Sequence, residues 1–240
     1  MTSDLTTDRS LPGRVALVTG ASRGAGAAIA QALSAGGAKV GLLSRSGDDL
    51  GLSDALGVKC DVADRAQVFS AVDDVVGRFG SLDLVVANAG VGMYGPLLGL
   101  APEHIEAMID INLKGTIYTA AATLSHLIAA GGGDFVSLAS VAGLRGLPGE
   151  SVYNASKFGQ VGFTRSLDHV LREHGVRATN VAPGGIATDF AMGTGRTEGS
   201  TEGMMTPEEV ADTVVYCVTR PPTFRVLTLS YRPMNEASWG

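Results

Sequence analysis

Three side chains near the middle of this chain have the types and spacing to move a proton: Ser140, Tyr153 and Lys157. Tyr153 and Lys157 stand four apart in a segment of helical periodicity, so they share a face one turn apart. A free phenol, with a pKa of about 10, is a poor base at neutral pH. An ammonium held close favours the phenolate and lowers that value. Ser140 follows the apolar stretch 135–139, at the carboxyl edge of a predicted strand. Its hydroxyl there can hold a carbonyl oxygen while the phenol donates its proton. The chemistry is general acid–base catalysis on a C=O or CH–OH group. By themselves a Tyr and a Lys at this spacing more often mean a surface pair. The upstream serine and a distant glycine turn give them their weight.

That turn lies in residues 14–29, RVALVTGASRGAGAAI. An apolar run reads as a buried strand, and Gly20, Gly24 and Gly26 then lead into a small-residue helix start. Strand, glycine turn and helix in that order build an anion site, because backbone can approach a phosphate and helix N–H groups point at it. The spacing G-x-x-x-G-x-G differs from the G-x-G-x-x-G dinucleotide fingerprint. Three further small-residue or polar features follow. Asn88-Ala89-Gly90 trails the fourth predicted strand, and Pro183-Gly184 with Thr188 trails the sixth. Asn112 sits in an apolar helical context, where an unpaired amide is costly. It either kinks the helix or holds a water near the lysine.

The elements that must position these groups alternate along the chain. Strands are predicted at 15–18, 39–44, 58–60, 82–87, 135–139, 176–181 and 226–230, with helices at 24–35, 63–79, 102–130, 152–174 and 205–219. Such alternation means βαβ units and a mainly parallel sheet covered on both faces. One domain spanning 1–240 is expected, with a flexible arm over 1–12, a mobile substrate loop over 189–204 and a C-terminal tail over 232–240. The Gly-, Thr- and Glu-rich loop follows the sixth strand, where ligands bind in such folds. A lid is one reading of it and an untidy surface loop the other.

Composition narrows the function classes. The 240 residues are 45% hydrophobic and 18% charged, enough for a large core. A net charge of −6 argues against nucleic acid as a bulk partner. No apolar run spans a bilayer without Gly or charge interruption, and the first ten residues lack the apolar core of a signal peptide. Cys60 and Cys217 make neither a disulfide framework nor a metal cluster, and the four histidines lack ligand spacing. A cytoplasmic protein without a metal is expected.

Together, Thr19-Gly20-x-x-x-Gly24-x-Gly26, Asn88-Ala89-Gly90, Asn112, Ser140, Tyr153-x-x-x-Lys157 and Pro183-Gly184-x-x-x-Thr188 closely resemble the short-chain dehydrogenase/reductase family, in its order and spacing. The resemblance covers residues 14–218. It implies a single doubly wound α/β Rossmann-type domain with a seven-stranded parallel sheet flanked by helices. It implies an oxidoreductase passing hydride between a nicotinamide and a carbonyl/secondary-alcohol pair. Tyr153 would be the acid/base, Ser140 would orient the substrate oxygen, and Asn112 would hold a water in a proton relay. Lys157 would bond the nicotinamide ribose and lower the tyrosine pKa. Gly20, Ser22, Arg23, Gly24, Ala25 and Gly26 would cradle the pyrophosphate end, with Asp61 and Val62 at the adenine. Asn88, Ala89 and Gly90 would flank the ribose, and Pro183, Gly184, Ile186 and Thr188 the carboxamide. A homodimer or homotetramer is implied as well.

The end of the second strand chooses the nicotinamide. A carboxylate there binds a ribose 2′-hydroxyl and repels a 2′-phosphate. Here the place reads Ser44-Arg45, and Arg23 offers a second positive charge, so NADP(H) is expected rather than NAD(H). Two departures stand out. Ala25 replaces a larger aliphatic residue, and Arg232-Pro233 with a tail to Trp239 replaces the family's glycine-rich ending, which helps build a tetramer contact. The ending resembles instead the branch of the family that acts on hydroxy acids and small alcohols. Residues 91–96, 141–147 and the loop after Thr188 would line the substrate pocket, and their mostly small or apolar character suggests an uncharged or bulky apolar carbonyl, although Arg145 could greet a carboxylate. A 3-oxoacyl carrier-protein reductase is the rival enzyme, with Arg165 and Arg172 as docking charges. A non-catalytic nucleotide-binding regulator is the rival from another class. The intact Ser140, Tyr153 and Lys157 count against it.

Overall fold

A computed structural model describes residues 11–197 and 199–236. Seven strands, β1 (Val15–Thr19), β2 (Lys39–Ser44), β3 (Ala55–Lys59), β4 (Leu84–Ala87), β5 (Gly133–Leu138), β6 (Val176–Pro183) and β7 (Thr228–Tyr231), form one sheet. Their order is β3-β2-β1-β4-β5-β6-β7, and every pair is parallel. This is the doubly wound arrangement, and its order reverses between β1 and β4. A crevice therefore opens beyond the carboxyl ends of those two strands.

Both faces of the sheet are buried, which explains the continuous apolar runs. Ala16, Val18, Val40, Leu42 and Val86 pack beneath α1 (Gly24–Ala35) and α6 (Pro207–Val218). Val15, Leu17, Val85 and Phe135 pack against α2 (Arg65–Phe79) and the helices on the opposite face. Each fully buried Leu or Val contributes about 1.5–3 kcal/mol relative to exposure. Asp64 starts α2 by accepting from the N–H groups of Ala66 and Gln67, and Gly80 ends it in the left-handed region. Thr206 and Glu209 close a reciprocal cap on α6, with Pro207 in its first turn.

Three differences from the sequence reading have local causes. The third strand runs over 55–59 rather than 58–60, drawn along β2 by register pairs from Val40↔Ala55 to Ser44↔Lys59. Leu11 was assigned to the flexible arm, but it is 3% exposed in the core and its N–H donates to the Gly36 carbonyl. The long helix predicted over 102–130 is three pieces: α3 (Pro102–Ala107), a π-helical stretch Met108–Lys114, and α4 (Gly115–Ala129). The wider turn carries Asn112, and π segments often mark functional sites. Trp239 lies outside the described residues.

Candidate active site

Beyond the strand ends lies a cleft of about 1240 Å³, bordered at one end by the glycine turn and at the other by Ser140, Tyr153 and Lys157. At its floor, Asn88 ties β4 to β1. Its amide donates to Thr19 O at 2.8 Å and Gly20 O at 3.2 Å, while Thr19 Oγ1 accepts from the N–H groups of Asn88 and Ala89. Gly20 has φ +66°, and a Cβ there would stand 2.8 Å from Ala89 Cα. A Cβ at Gly26 would sit 2.3 Å from Gly20 O, so only glycine lets α1 start this close to β1. Among the described residues no side chain caps α1, and its first turn has no acidic residue, which leaves the helix N-terminus suited to an anion. Ser22, Arg23, Gly24 and Ala25 border the cleft here. So do Ser44, Arg45, Asp61 and Val62 on the β2–β3 side, with Ala89 and Gly90 beside the floor.

At the other end α5 (Ser151–Leu171) delivers Tyr153 and Lys157, both buried. The hydroxyls of Ser140 and Tyr94 both act on the Tyr153 phenol, favouring its ionised form. Tyr94 meets its ring edge-on at 5.4 Å, and Phe190 lies 5.9 Å away. Lys157 Nζ lies 5.7 Å from the centre of the Tyr153 ring and donates to Leu138 O at 3.1 Å. Burial pushes the phenol up to about 12, against the opposing influence of the Ser140 hydroxyl. Burial alone brings the lysine down to about 7. The expected lowering of the phenol by Lys157 is therefore not what this geometry produces. The ammonium is itself disfavoured by the same low dielectric that disfavours the phenolate.

That burial has a consequence for stability. Because the folded-state pKa of Lys157 lies below its unfolded value, the unfolded chain binds more protons between about 7 and 10.5, and stability rises with pH across that window. Lys157→Met is expected to raise the melting temperature by a few degrees below pH 7, with the gain shrinking towards pH 10.5. Melting curves from pH 6 to 10 check this, and a gain that grows with pH contradicts it.

Asn112 is the one predicted site residue that does not border the cleft. Its Oδ1 accepts from the Val91 N–H at 2.8 Å, and its Nδ2 donates to Val91 O at 2.9 Å and Ser156 Oγ at 3.0 Å. The side chain is thus engaged in clamping Val91 to α5. Asn154 does comparable work unforeseen from sequence: its amide donates to Ala142 O and Arg145 O and accepts from the Leu147 N–H, folding the segment after Ser140 onto α5. Pro183, Gly184, Ile186 and Thr188 line the opposite wall. The Ile186 carbonyl accepts from Arg196 at 3.1 Å and from the Thr188 N–H at 3.0 Å. The loop after Thr188 is fastened over the site by Tyr94 N–H to Thr194 O at 2.7 Å and Thr194 Oγ1 to Gly92 O at 2.9 Å.

The cleft wall is more charged than the sequence reading proposed. Arg145, Glu150, Arg196 and Glu236 all border it, alongside the apolar Val141, Leu147, Phe190 and Met204. Tyr94 and Arg145 fall within stretches already assigned to the wall. Glu236 carried no local signal, because it arrives from the tail through tertiary folding alone.

A Rossmann-type crevice with a Ser–Tyr–Lys cluster at its far end defines a class of nucleotide-binding enzyme folds, and comparison with known proteins gives the family. Residues 14–199 match the short chain dehydrogenase family, and the chain belongs to it. An uncharacterised oxidoreductase of Staphylococcus epidermidis is 34% identical over 151 residues, which cover 63% of this chain and 64% of the relative. The chain thus spans less than two thirds of the length of that relative. The alcohol dehydrogenase of the archaeon Thermococcus sibiricus, solved with 5-hydroxy-NADP, superposes with a TM-score of 0.86 at 30% identity, covering 95% of this chain and 99% of that one. The 3-ketoacyl-(acyl-carrier-protein) reductase of Brucella melitensis, solved with NADH, gives 0.82 at 26% identity, covering 92% and 97%.

Proposed function

We propose that this protein is an NADP(H)-dependent oxidoreductase that interconverts a small-molecule carbonyl and a secondary alcohol. One observation carries the reading: a single cleft joins an uncapped, glycine-built anion cradle to a buried Tyr153, with Ser140 and Lys157 on the same wall. The cradle fits a dinucleotide pyrophosphate, since a Cβ at Gly20 or Gly26 would collide with backbone. A bound nicotinamide supplies or accepts the hydride. The chain's own residues do the rest. Ser140 orients the substrate oxygen, Tyr153 exchanges a proton with it, and Lys157 holds the ribose end. Asn112 acts as a positioning residue, through Val91 and Ser156.

For the cofactor's 2′-phosphate, Arg45 and Arg23 border the cleft beside Ser44, whose hydroxyl accepts from the Gly47 N–H at 3.0 Å. With no carboxylate at this strand end, NADP(H) is favoured over NAD(H). A charge-assisted contact is lost in Arg45→Asp, which is expected to shift the NADPH-over-NADH preference by about 10–100-fold. Cofactor titrations read this directly, and an unchanged ratio removes Arg45 from the assignment. The reading as a whole is tested by NADPH oxidation over a broad carbonyl panel. Silence across the panel with NADPH bound tightly points instead to a nucleotide-binding regulator.

The second reading is a 3-oxoacyl carrier-protein reductase, favoured by the likeness to the Brucella melitensis enzyme. Activity confined to acyl groups on a carrier supports it. The protein is further assigned to the cytoplasm, in keeping with two free, buried thiols, Cys60 and Cys217. It is read as a homodimer or homotetramer, which sedimentation tests.

A further inference from the structure

The segment after β7 turns back onto the cleft and brings a carboxylate into its wall. Glu236 Oε1 lies 3.0 Å from Arg145 Nη2, and Oε2 accepts from the Gly185 N–H at 3.0 Å. Arg232 Nε stands 3.9 Å from the same Oε1. Both partners are largely buried: the Arg145 side chain is 12% exposed and that of Glu236 19%. Glycine at the adjoining position 184 makes room, since a Cβ there would be 2.4 Å from Oε2. Arg145, Gly185 and Glu236 border the same cleft as Tyr153.

A guanidinium and a backbone N–H converging on two oxygens is how a protein recognises a carboxylate ligand. Here one carboxylate of the chain itself stands between two guanidiniums. We infer that Arg145 and the Gly185 N–H form a carboxylate-recognition site in the substrate pocket, that Glu236 is its exchangeable internal occupant, and that the substrate is an oxo acid or its hydroxy acid. This rests on the oxidoreductase reading above, and it replaces the uncharged carbonyl suggested by the apolar residues.

The exchange is physically balanced. A substrate carboxylate entering as Glu236 leaves keeps one anion on Arg145, so no buried cation is left uncompensated. Glu236 travels on residues beyond the end of β7 at Tyr231, so its departure breaks no strand pairing. Glu150, another carboxylate on the cleft, sits in the field of both Arg145 and Arg196. Apolar walls at Val141, Leu147 and Phe190 suit the carbon skeleton between carboxylate and carbonyl.

The test compares acetoacetate with its neutral methyl ester as substrates for wild type, Glu236→Gln, Arg145→Met and Arg145→Lys. The acid-over-ester ratio of kcat/KM is expected to rise about tenfold in Glu236→Gln and to fall about 100-fold in Arg145→Met, with partial recovery in Arg145→Lys. Ratios within about twofold of wild type in both Glu236→Gln and Arg145→Met overturn the proposal and leave the pair a structural clasp. Calorimetric titration of the NADPH-saturated protein with butanoate gives a second readout, expected to tighten in Glu236→Gln and vanish in Arg145→Met. Ester turnover without butanoate binding rejects the carboxylate site and keeps the oxidoreductase. Butanoate binding without turnover of any carbonyl keeps the site and rejects the oxidoreductase, and with it the substrate class.

Discussion

Replacing Tyr153 by Phe is expected to lower kcat/KM for carbonyl reduction by about 10²–10⁴-fold, the usual worth of a positioned acid. The substitution keeps the ring, and so keeps its contacts with Tyr94 and Phe190. It deletes only the hydroxyl that meets Ser140 and Tyr94. With its pKa pushed up to about 12 by burial, the phenol stays protonated throughout the neutral range and is ready to donate. Reduction should therefore show no titration of this group below pH 12, whereas alcohol oxidation needs the phenolate and should rise with pH. In the Phe variant that rise should disappear. Paired pH profiles in the two directions test both halves. Turnover that survives the substitution, or an oxidative slope that persists in it, overturns the role given to Tyr153.

What could be read from the sequence follows the range of each interaction. The glycine turn was legible because its demand is local: Gly26 has no room for a Cβ against Gly20 O, and residue type alone announces that. The parallel sheet followed from the alternation of strands and helices, since buried parallel strands leave uninterrupted apolar runs such as 15–18. A kink at Asn112 in the helix over 102–130 was one reading of the sequence, but its form, a π-helical stretch, was not legible. One wider turn hardly disturbs apolar periodicity, and its stabilising contacts reach from Asn112 to Val91 and Ser156. The burial that brings Lys157 down to about 7 was not legible, because spacing shows its neighbour on the helix but not how much water surrounds both. Glu236 and Arg145 stand 91 residues apart in the chain, so no local pattern could join them.

The largest effect on stability is expected at the opposite end of the sheet from the cleft. Asp134, at the start of β5, faces Arg177 across the β5–β6 register and lies 5% exposed at its side chain. It receives Arg177 Nε at 2.7 Å and Nη2 at 3.0 Å, and Arg14 Nη2 at 2.6 Å. Both guanidiniums also reach carbonyls at and beyond the end of α6: Arg14 donates to Val218 O, and Arg177 to Arg220 O and Phe224 O. One carboxylate thus fastens the starts of β1, β5 and β6 and the segment leading to β7. Asp134→Ala leaves two poorly solvated cations facing each other and should cost about 3–5 kcal/mol, lowering the melting temperature by about 10 °C for a chain of this size. The desolvation argument makes a second demand. Replacing all three charges by apolar residues of similar volume, Arg14→Met, Asp134→Leu and Arg177→Met together, should recover most of that loss, because the penalty comes from stranding cations rather than from losing attraction. Urea denaturation of the single and triple variants separates the two. A triple variant less stable than Asp134→Ala shows that the arginines' carbonyl contacts hold this edge of the sheet, and the carboxylate only assists.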